Sequence, residues 1–245
     1  MPAVLEVPLP GGALAELSFT GVADGDLRVD GPAGELDARR RSVAPGGWTW
    51  LRQVHGDRVV TVTRPGEWAG VEADAAVTSV PGAVLAAHTA DCAGVLLCSS
   101  GERDVPVVGA AHAGWRGLAR GVLQATVRAM GDLGAGSVSW WLGPCISAPA
   151  YEFGEADLVS LCDRYGPQLR ARTAAGAPAL DLRAGVAAAL AEAGAVPGSP
   201  GAHPACTALD PGWYSWRARQ DRGRQAAVAR IVPGAVAPDG PGGRP

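Results

Sequence analysis

The stretch Val107-Val-Gly-Ala-Ala-His112-Ala-Gly-Trp-Arg116-Gly117 decides how the rest of the chain is read. An apolar run leads straight into a histidine, then into a Gly-Trp-Arg-Gly turn, and a helix is expected to open at about Leu118. This order predicts an imidazole and a guanidinium at the carboxyl end of a buried strand, beside the amino end of a helix. Unpaired N–H groups at such an end favour anions. About twenty residues upstream, Thr89-Ala-Asp91-Cys92 sets a thiol at the start of a second apolar run, Ala93 to Cys98.

Working outward, short apolar segments bounded by Gly, Pro or Asp predict strands at Ala15–Phe19, Thr49–Gln53, Val59–Thr63, Ala75–Thr78, Val84–His88, Val95–Cys98, Val105–Ala111, Ser137–Leu142 and Ala226–Ile231. Helical periodicity predicts Leu118–Leu133, Glu155–Tyr165 and Leu182–Ala193. Leu118, Val122, Ala125 and Ala129 share one face of the first, and Asp181 and Gly194 cap the last. Strands dominate the first half and helices come later, so the expected class is α+β. The Pro- and Gly-rich tail Pro233–Pro245 reads as disordered.

Composition removes whole classes of chemistry. All 21 basic residues of the 245 are arginine. A Schiff-base lysine, a pyridoxal-phosphate lysine and a P-loop lysine are therefore absent. A net charge of −3 gives no electrostatic footprint for nucleic acid. Met1 to Gly12 lacks a basic region followed by an apolar one, and no segment has the roughly eighteen apolar residues of a membrane span. Five scattered cysteines without CxxC spacing argue against a disulfide framework. The expectation is a cytoplasmic protein with reduced thiols and no membrane partner.

Chemistry concentrates at His55 in Gln53-Val-His-Gly, at Asp91-Cys92, at His112 with Arg116, and at Cys145 in Leu142-Gly-Pro-Cys-Ile. Taken singly, His55 reads as a turn histidine and Cys92 as a buried packing residue, whereas His112 in its Gly/Ala setting has no packing reason to be there. Together, His55, Cys92 and His112 make a donor set suited to Zn²⁺, with a fourth position left for water or substrate. The same atoms also suit a nucleophilic Cys92 with His112 as its base. Spacing does not separate the two. Cys98, Cys162 and Cys206 read as packing residues, and Cys145 as a buried small residue. His88 reads as a core histidine with one hydrogen bond, and His203 as exposed.

Ten segments occur here in the order found in one family. They are Gln-Val-His55-Gly, Ala73-Asp74-Ala75, Thr89-Ala-Asp91-Cys92, Ala111-His112-Ala-Gly-Trp-Arg116-Gly, Leu142-Gly-Pro-Cys145-Ile, Tyr151-Glu-Phe-Gly154, Leu180-Asp181-Leu182, Cys206-Thr207, Trp213-Tyr-Ser-Trp-Arg217 and Gly223-Arg224. From about Thr49 to Ile231 the chain resembles the YfiH family, variously called laccase-domain polyphenol oxidase, multicopper polyphenol oxidoreductase or purine nucleoside phosphorylase. It departs at the front: the family's usual Phe-[ST]-x-Arg-x-Gly-Gly is here Phe19-Thr20-Gly21-Val22, without the arginine, and Leu27 to Arg41 does not reproduce the Asn-Leu-Gly segment.

The resemblance implies a single laccase-type domain over residues 1–232, with a β-sandwich-like mixed-sheet core flanked by helices, a fold shared with a toxin deamidase that uses a Cys/His pair. It implies zinc, or copper, on His55, Cys92 and His112, and a monomer or weak homodimer. The implied activity is phosphate-dependent cleavage of adenosine, inosine, guanosine and methylthioadenosine, with adenosine deamination on the side. Arg116 is then the first choice for phosphate, with Arg217 and Arg224 behind it. Trp115 is a candidate to stack on the purine, and Asp91 a candidate to orient a ligand histidine or pair with an arginine. Two alternatives carry over: a Cys/His amidase editing peptidoglycan precursors, and a copper polyphenol oxidase. The latter fits poorly, since type 1 and trinuclear copper need more than the four histidines present.

Overall fold

Alternation along the central strands builds the molecule. A computed structural model describes residues 2–232, so the tail from Pro233 lies outside the described residues. The first part of the chain forms β1 (Val4–Pro8), β2 (Leu14–Phe19), α1 (Ala33–Val43), β3 (Gly47–Trp50), β4 (Val59–Val62), β5 (Ala75–Thr78), β6 (Ala83–Thr89), β7 (Ala93–Ser99) and β8 (Val108–Ala113). Helices then alternate with strands: α2 (Trp115–Arg120), α3 (Val122–Asp132), β9 (Val138–Leu142), α4 (Glu155–Tyr165), β10 (Arg170–Arg172), β11 (Pro178–Leu180), α5 (Leu182–Glu192), β12 (Val196–Ala202), α6 (Trp216–Arg219) and β13 (Gln225–Val232).

Two mixed sheets result, in the orders β1-β2-β13-β6-β3 and β12-β9-β7-β8-β5-β4. They pack face to face through Leu17, Leu85, Ala87 and Ala229 of the first and Leu96, Cys98, Ala110 and Trp141 of the second. The opposite parity faces the helices. Val95, Leu97 and Ala111 meet Leu118, Val122, Leu158 and Val186, while Val84, Ala86 and Val228 meet Leu27, Leu36 and Trp48. Because both faces of β6, β7 and β8 are covered, these strands are buried along their whole length. The α+β, sandwich-like expectation is met, with α1 on one outer face and α2 to α5 on the other.

The structure corrects several boundaries. The helix expected from Leu118 opens three residues earlier and breaks at Gly121, whose φ of 91° is open to glycine at little cost. Strand β3 starts at Gly47 and ends at Trp50, and β8 is shifted toward the carboxyl side, so that His112 lies within it. α1 was not expected because only Leu36 and Arg40 of its eleven residues are buried, which leaves almost no apolar stripe. β12, Val-Pro-Gly-Ser-Pro-Gly-Ala, is among the strands the sequence pattern does not predict, and it pairs as a parallel edge strand on β9, a position where proline is tolerated. Asp181 caps α5 as expected, accepting from Ala184 N at 3.0 Å.

Of the four connections that cross from one sheet to the other, two matter for the site, β3 to β4 and β6 to β7. The first carries His55 and the second carries Cys92.

Candidate metal and catalytic centre

His55, Cys92 and His112 meet beside the carboxyl end of β8, with one donor atom from each lying within 4.8 Å of the others. Cys92 Sγ is 3.8 Å from His55 Nε2, and the two imidazoles meet edge to face at 4.8 Å between centroids. Gly94, which pairs with His112 in the β7–β8 register, clears the facing sheet, since a Cβ there would lie 2.9 Å from Ala227 Cβ. Gly114 makes a second clearance. A Cβ there would lie 2.6 Å from His55 Cδ2 and 3.1 Å from Cys92 Sγ.

Asp74, at the entry to β5 and fully buried, organises the group. Its Oδ1 is 2.9 Å from His112 Nδ1. The same carboxylate accepts the consecutive N–H groups of Val54, His55 and Gly56 at 3.2, 2.9 and 2.7 Å. That nest holds His55 at φ 57°, a left-handed conformation uncommon outside glycine. Burial would push the Asp74 carboxyl up, but the His112 ring and the Gly56 N–H outweigh it and hold it below the usual carboxylate range. Asp74 stood in a quoted segment, Ala73-Asp74-Ala75, without a role. Its signal was a lone acid between small apolar residues at a strand start.

Electrostatics follow from the same contacts. Burial alone would raise the Cys92 thiol, yet the charge of His112 and hydrogen bonds from His112 and His55 bring it down to about 6. His112 moves the other way. Burial opposes its charge, but Cys92 and Asp74 raise it to about 9. An imidazole with Nδ1 held by a carboxylate presents Nε2 as its free donor atom, the usual arrangement of a metal-binding histidine. Tetrahedral zinc with two nitrogens and one sulfur holds its ligand atoms about 3.4 to 3.6 Å apart. The donor set and its closeness therefore fit such an ion.

The cluster lies in a cleft of about 770 Å³ whose lining includes Gln53, His88, Thr89, Trp216 and four arginines, Arg28, Arg52, Arg222 and Arg224. Trp216, 49% exposed, was missed as a candidate although it stands in the quoted Trp213–Arg217 segment. Arg28 lines the cleft from the front segment, six residues after Val22 where the family's arginine is expected.

Three expected residues have other places. Arg116 is exposed and stacks over the Trp115 ring at 4.4 Å, and α2 behind it is only six residues long. Arg217 covers Tyr151 at 5.1 Å and donates to Glu152 O at 3.0 Å. Asp91 orients no histidine. It accepts from Thr207 Oγ1, Ser215 Oγ and the Arg217 backbone N–H, each at 2.7 Å, fastening the β6–β7 turn to the segment that carries Trp216. None of these three lines the cleft. Trp115 packs edge to face on Phe153 at 5.3 Å.

Other expectations divide. Cys98, Cys145 and Cys206 are buried, with the Cys145 thiol pushed up to about 11 by burial. His203 is half-buried against Trp213 rather than exposed. His88 is buried, but its ring makes no hydrogen bond and faces the cleft.

Comparison with known proteins gives the same frame. The family described as multi-copper polyphenol oxidoreductase laccase matches residues 20–232, so the likeness extends into the front segment, beyond the span its motifs cover. A Mycobacterium tuberculosis protein named purine nucleoside phosphorylase Rv2149c is 37% identical over 211 residues, 83% of this chain and 82% of its own. Escherichia coli YfiH, also named a purine nucleoside phosphorylase, is 42% identical over 130 residues, 51% of each chain. The crystal structure of YlmD from Geobacillus stearothermophilus superposes with a TM-score of 0.75 at 25% identity, covering 93% of this chain and 94% of that one. With the family matched from residue 20 to the end of β13 and the fold shared throughout, the chain belongs to the multi-copper polyphenol oxidoreductase laccase family, that of the YfiH proteins.

Proposed function

We propose that the protein is a zinc-dependent purine nucleoside phosphorylase acting on adenosine, inosine, guanosine and methylthioadenosine, with adenosine deamination as a side activity. The observation that carries the reading is the His55–Cys92–His112 cluster at a cleft of about 770 Å³, within the range of small-ligand sites. Relatives named purine nucleoside phosphorylase support it. In phosphorolysis a phosphate oxygen bonds to C1′ of the ribose as the C1′–N9 bond breaks. The bonding pair leaves with the base, which takes up a proton.

The chain's own groups prepare this. Asp74 holds the proton on His112 Nδ1 and fixes the His55 loop, so both rings and the Cys92 sulfur are set before substrate enters. Trp216 offers an aromatic face at the cleft for the purine. His55, Cys92 and His112 would hold the zinc, which supplies Lewis-acid polarisation and a lowered water pKa for attack at C6 of adenine. Copper oxidation of phenols has less support, because His55, Cys92 and His112 are the only such three-ligand group among the described residues.

The test is metal content and free-base release measured on the same samples, wild type beside Cys92→Ser. About one zinc per chain, lost in the variant together with phosphate-dependent release, supports the reading. No base from adenosine and phosphate at high enzyme concentration overturns it.

A second reading is favoured by one observation: a thiol lowered to about 6 beside an imidazole whose far nitrogen is on a buried carboxylate. That is the arrangement of a cysteine amidase. It expects alkylation of Cys92 to abolish activity on cell-wall amides and chelators to leave it intact.

A further inference from the structure

The centre described above makes no use of His88. This residue, near the end of β6, is 6% exposed, and neither of its ring nitrogens has a hydrogen-bond partner. Its backbone is fully paired, donating to Gln53 Oε1 and accepting from Gln53 Nε2, both at 2.7 Å. The ring is therefore held firmly with nothing to bond. Leaving a buried polar group unpaired is costly, and such groups are few in folded proteins.

What surrounds the ring is positive. Arg40, His112 and Arg224 all act on it electrostatically, and all in the sense that disfavours its charge. No carboxylate lies within ion-pair distance of Arg224 or Arg222 among the described residues. Arg224 Nη1 is instead held by the carbonyl oxygens of Asp221, Arg222 and Gly223 at 3.0, 3.0 and 2.8 Å, which fixes the guanidinium at the cleft. Arg52 and Arg28, also at the cleft, are paired, with Glu72 at 2.9 Å and with Asp26 at 3.3 Å. Arg40 is buried against Trp48 and Trp50 with Nε and Nη2 unpartnered. Asp30, the carboxylate in the cleft lining, sits on Arg28 at 3.8 Å, and Asp26 takes the backbone N–H of Arg224 rather than its guanidinium, so the Arg224 and Arg222 side chains keep their charge and match a small oxyanion.

We propose that His88 and Arg224, with Arg222 at the rim, form an oxyanion subsite beside the His55–Cys92–His112 cluster, and that inorganic phosphate occupies it. The assignment rests on the phosphorolysis reading and deepens it: the co-substrate enters at His88 and Arg224, not at Arg116. Neutral His88 donates one ring N–H to a phosphate oxygen, and the Arg224 guanidinium supplies charge and further N–H groups. A nucleotide's 5′-phosphate has the same chemistry, so the test separates the two sources.

Calorimetric titration of the zinc-loaded protein with inorganic phosphate, and separately with adenosine 5′-monophosphate, is run on wild type, His88→Leu, Arg224→Gln and Arg222→Gln. Wild type is expected to bind inorganic phosphate, with affinity falling about tenfold or more in His88→Leu and Arg224→Gln, the loss of a charge-assisted or otherwise unreplaced hydrogen bond. Arg222→Gln, at an exposed position that leaves the fold intact, is expected to cost about threefold. In the kinetic arm the KM for phosphate rises in parallel while the KM for adenosine stays within about twofold. Thermal melts identify any variant that has failed to fold, and Arg222→Gln then carries the decision.

Equal phosphate binding in all four proteins overturns the subsite. So does binding of the nucleotide without inorganic phosphate, or a phosphate KM that responds to Arg116→Gln and not to these variants. If no base is released from adenosine, the phosphorylase reading falls, and the phosphate titration still decides the subsite by itself.

Discussion

Asp74 Oδ1 lies 2.9 Å from His112 Nδ1, and the carboxylate that makes this contact also gathers the backbone N–H groups on either side of His55. One buried side chain therefore sets the ring orientation of one histidine and the backbone of another. The two histidines come from elements far apart in the chain, a loop after β3 and the strand β8, so their mutual geometry depends on this shared anchor. An isolated carboxylate here would be costly to bury. Four donors offset that cost, and the His112 ring with the Gly56 and Val54 N–H groups holds the carboxyl below its usual range against burial.

Asp74→Asn is expected to keep the shape and lose the function of the anchor. The amide can still accept one hydrogen bond, but its NH2 group turns donors toward donors in the Val54–Gly56 nest. Zinc affinity should fall about 10- to 100-fold, as when a partner of a metal-bound histidine is removed. Stability should drop by roughly 1 to 3 kcal/mol, the cost of buried unpaired N–H groups. Competitive chelator titration and urea unfolding check the two parts, and unchanged zinc affinity would remove Asp74 from the centre.

In the metal-free protein, iodoacetamide should react with Cys92 with a midpoint near pH 6, where the thiol is held by His112 and His55 against burial. The sign follows from thiolate being the reactive form, so the rate rises with pH through that midpoint. His112→Ala removes the largest opposing charge and should move the midpoint up by more than two pH units. A wild-type midpoint above pH 8 would show that His112 and His55 do not hold the thiol down.

How much of this was legible beforehand depended on where the information sits. β5, α4 and the alternating strands β6, β7 and β13 are local patterns, apolar residues with the right period, and their positions follow from the sequence to within a residue or two. α1 and β12 hide because their order comes from neighbours: α1 lies on β3 and β6 with two buried residues, and β12 borrows its hydrogen bonds from β9. In the site, His55, Cys92 and His112 were recognisable as scarce groups in apolar settings. The jobs of Asp74, Asp91 and Arg116 were not, because they depend on contacts across 18 to 126 positions of sequence or on the direction a side chain takes at a turn. Asp91 looked like a neighbour of Cys92, yet its bonds run to Thr207, Ser215 and Arg217.

His88 gives the protein an acid-sensitive stability in phosphate-free buffer. Burial, then the charges of Arg40, His112 and Arg224, draw it down to about 3 in the folded chain, against an ordinary value of 6.5. Between those values the unfolded chain takes up a proton that the folded chain does not, so stability falls as pH falls below about 6.5. At pH 5 the loss from this group is on the order of 2 kcal/mol. Urea unfolding at pH 7 and pH 5 should show that difference in wild type and not in His88→Leu. An equal pH dependence in both would mean that His88 titrates freely.

Gly114→Ala tests the closeness of the centre by the smallest available change. Gly114 has φ −71°, which alanine adopts without strain, so the substitution acts through volume alone. The added methyl would stand 2.6 Å from His55 Cδ2 and 3.1 Å from Cys92 Sγ, both well inside contact distance. His55 is the side that must yield, since its loop lies at the surface while Cys92 is held by the β6–β7 turn that Asp91 fastens. The ring would then swing away from the sulfur and leave two of the three donors in place. Zinc content should drop below one per chain, with phosphate-dependent base release down at least a hundredfold, while overpacking costs only about 1 to 3 kcal/mol of stability. A variant that melts like wild type and still binds one zinc with full activity would show that His55 does not need its present position.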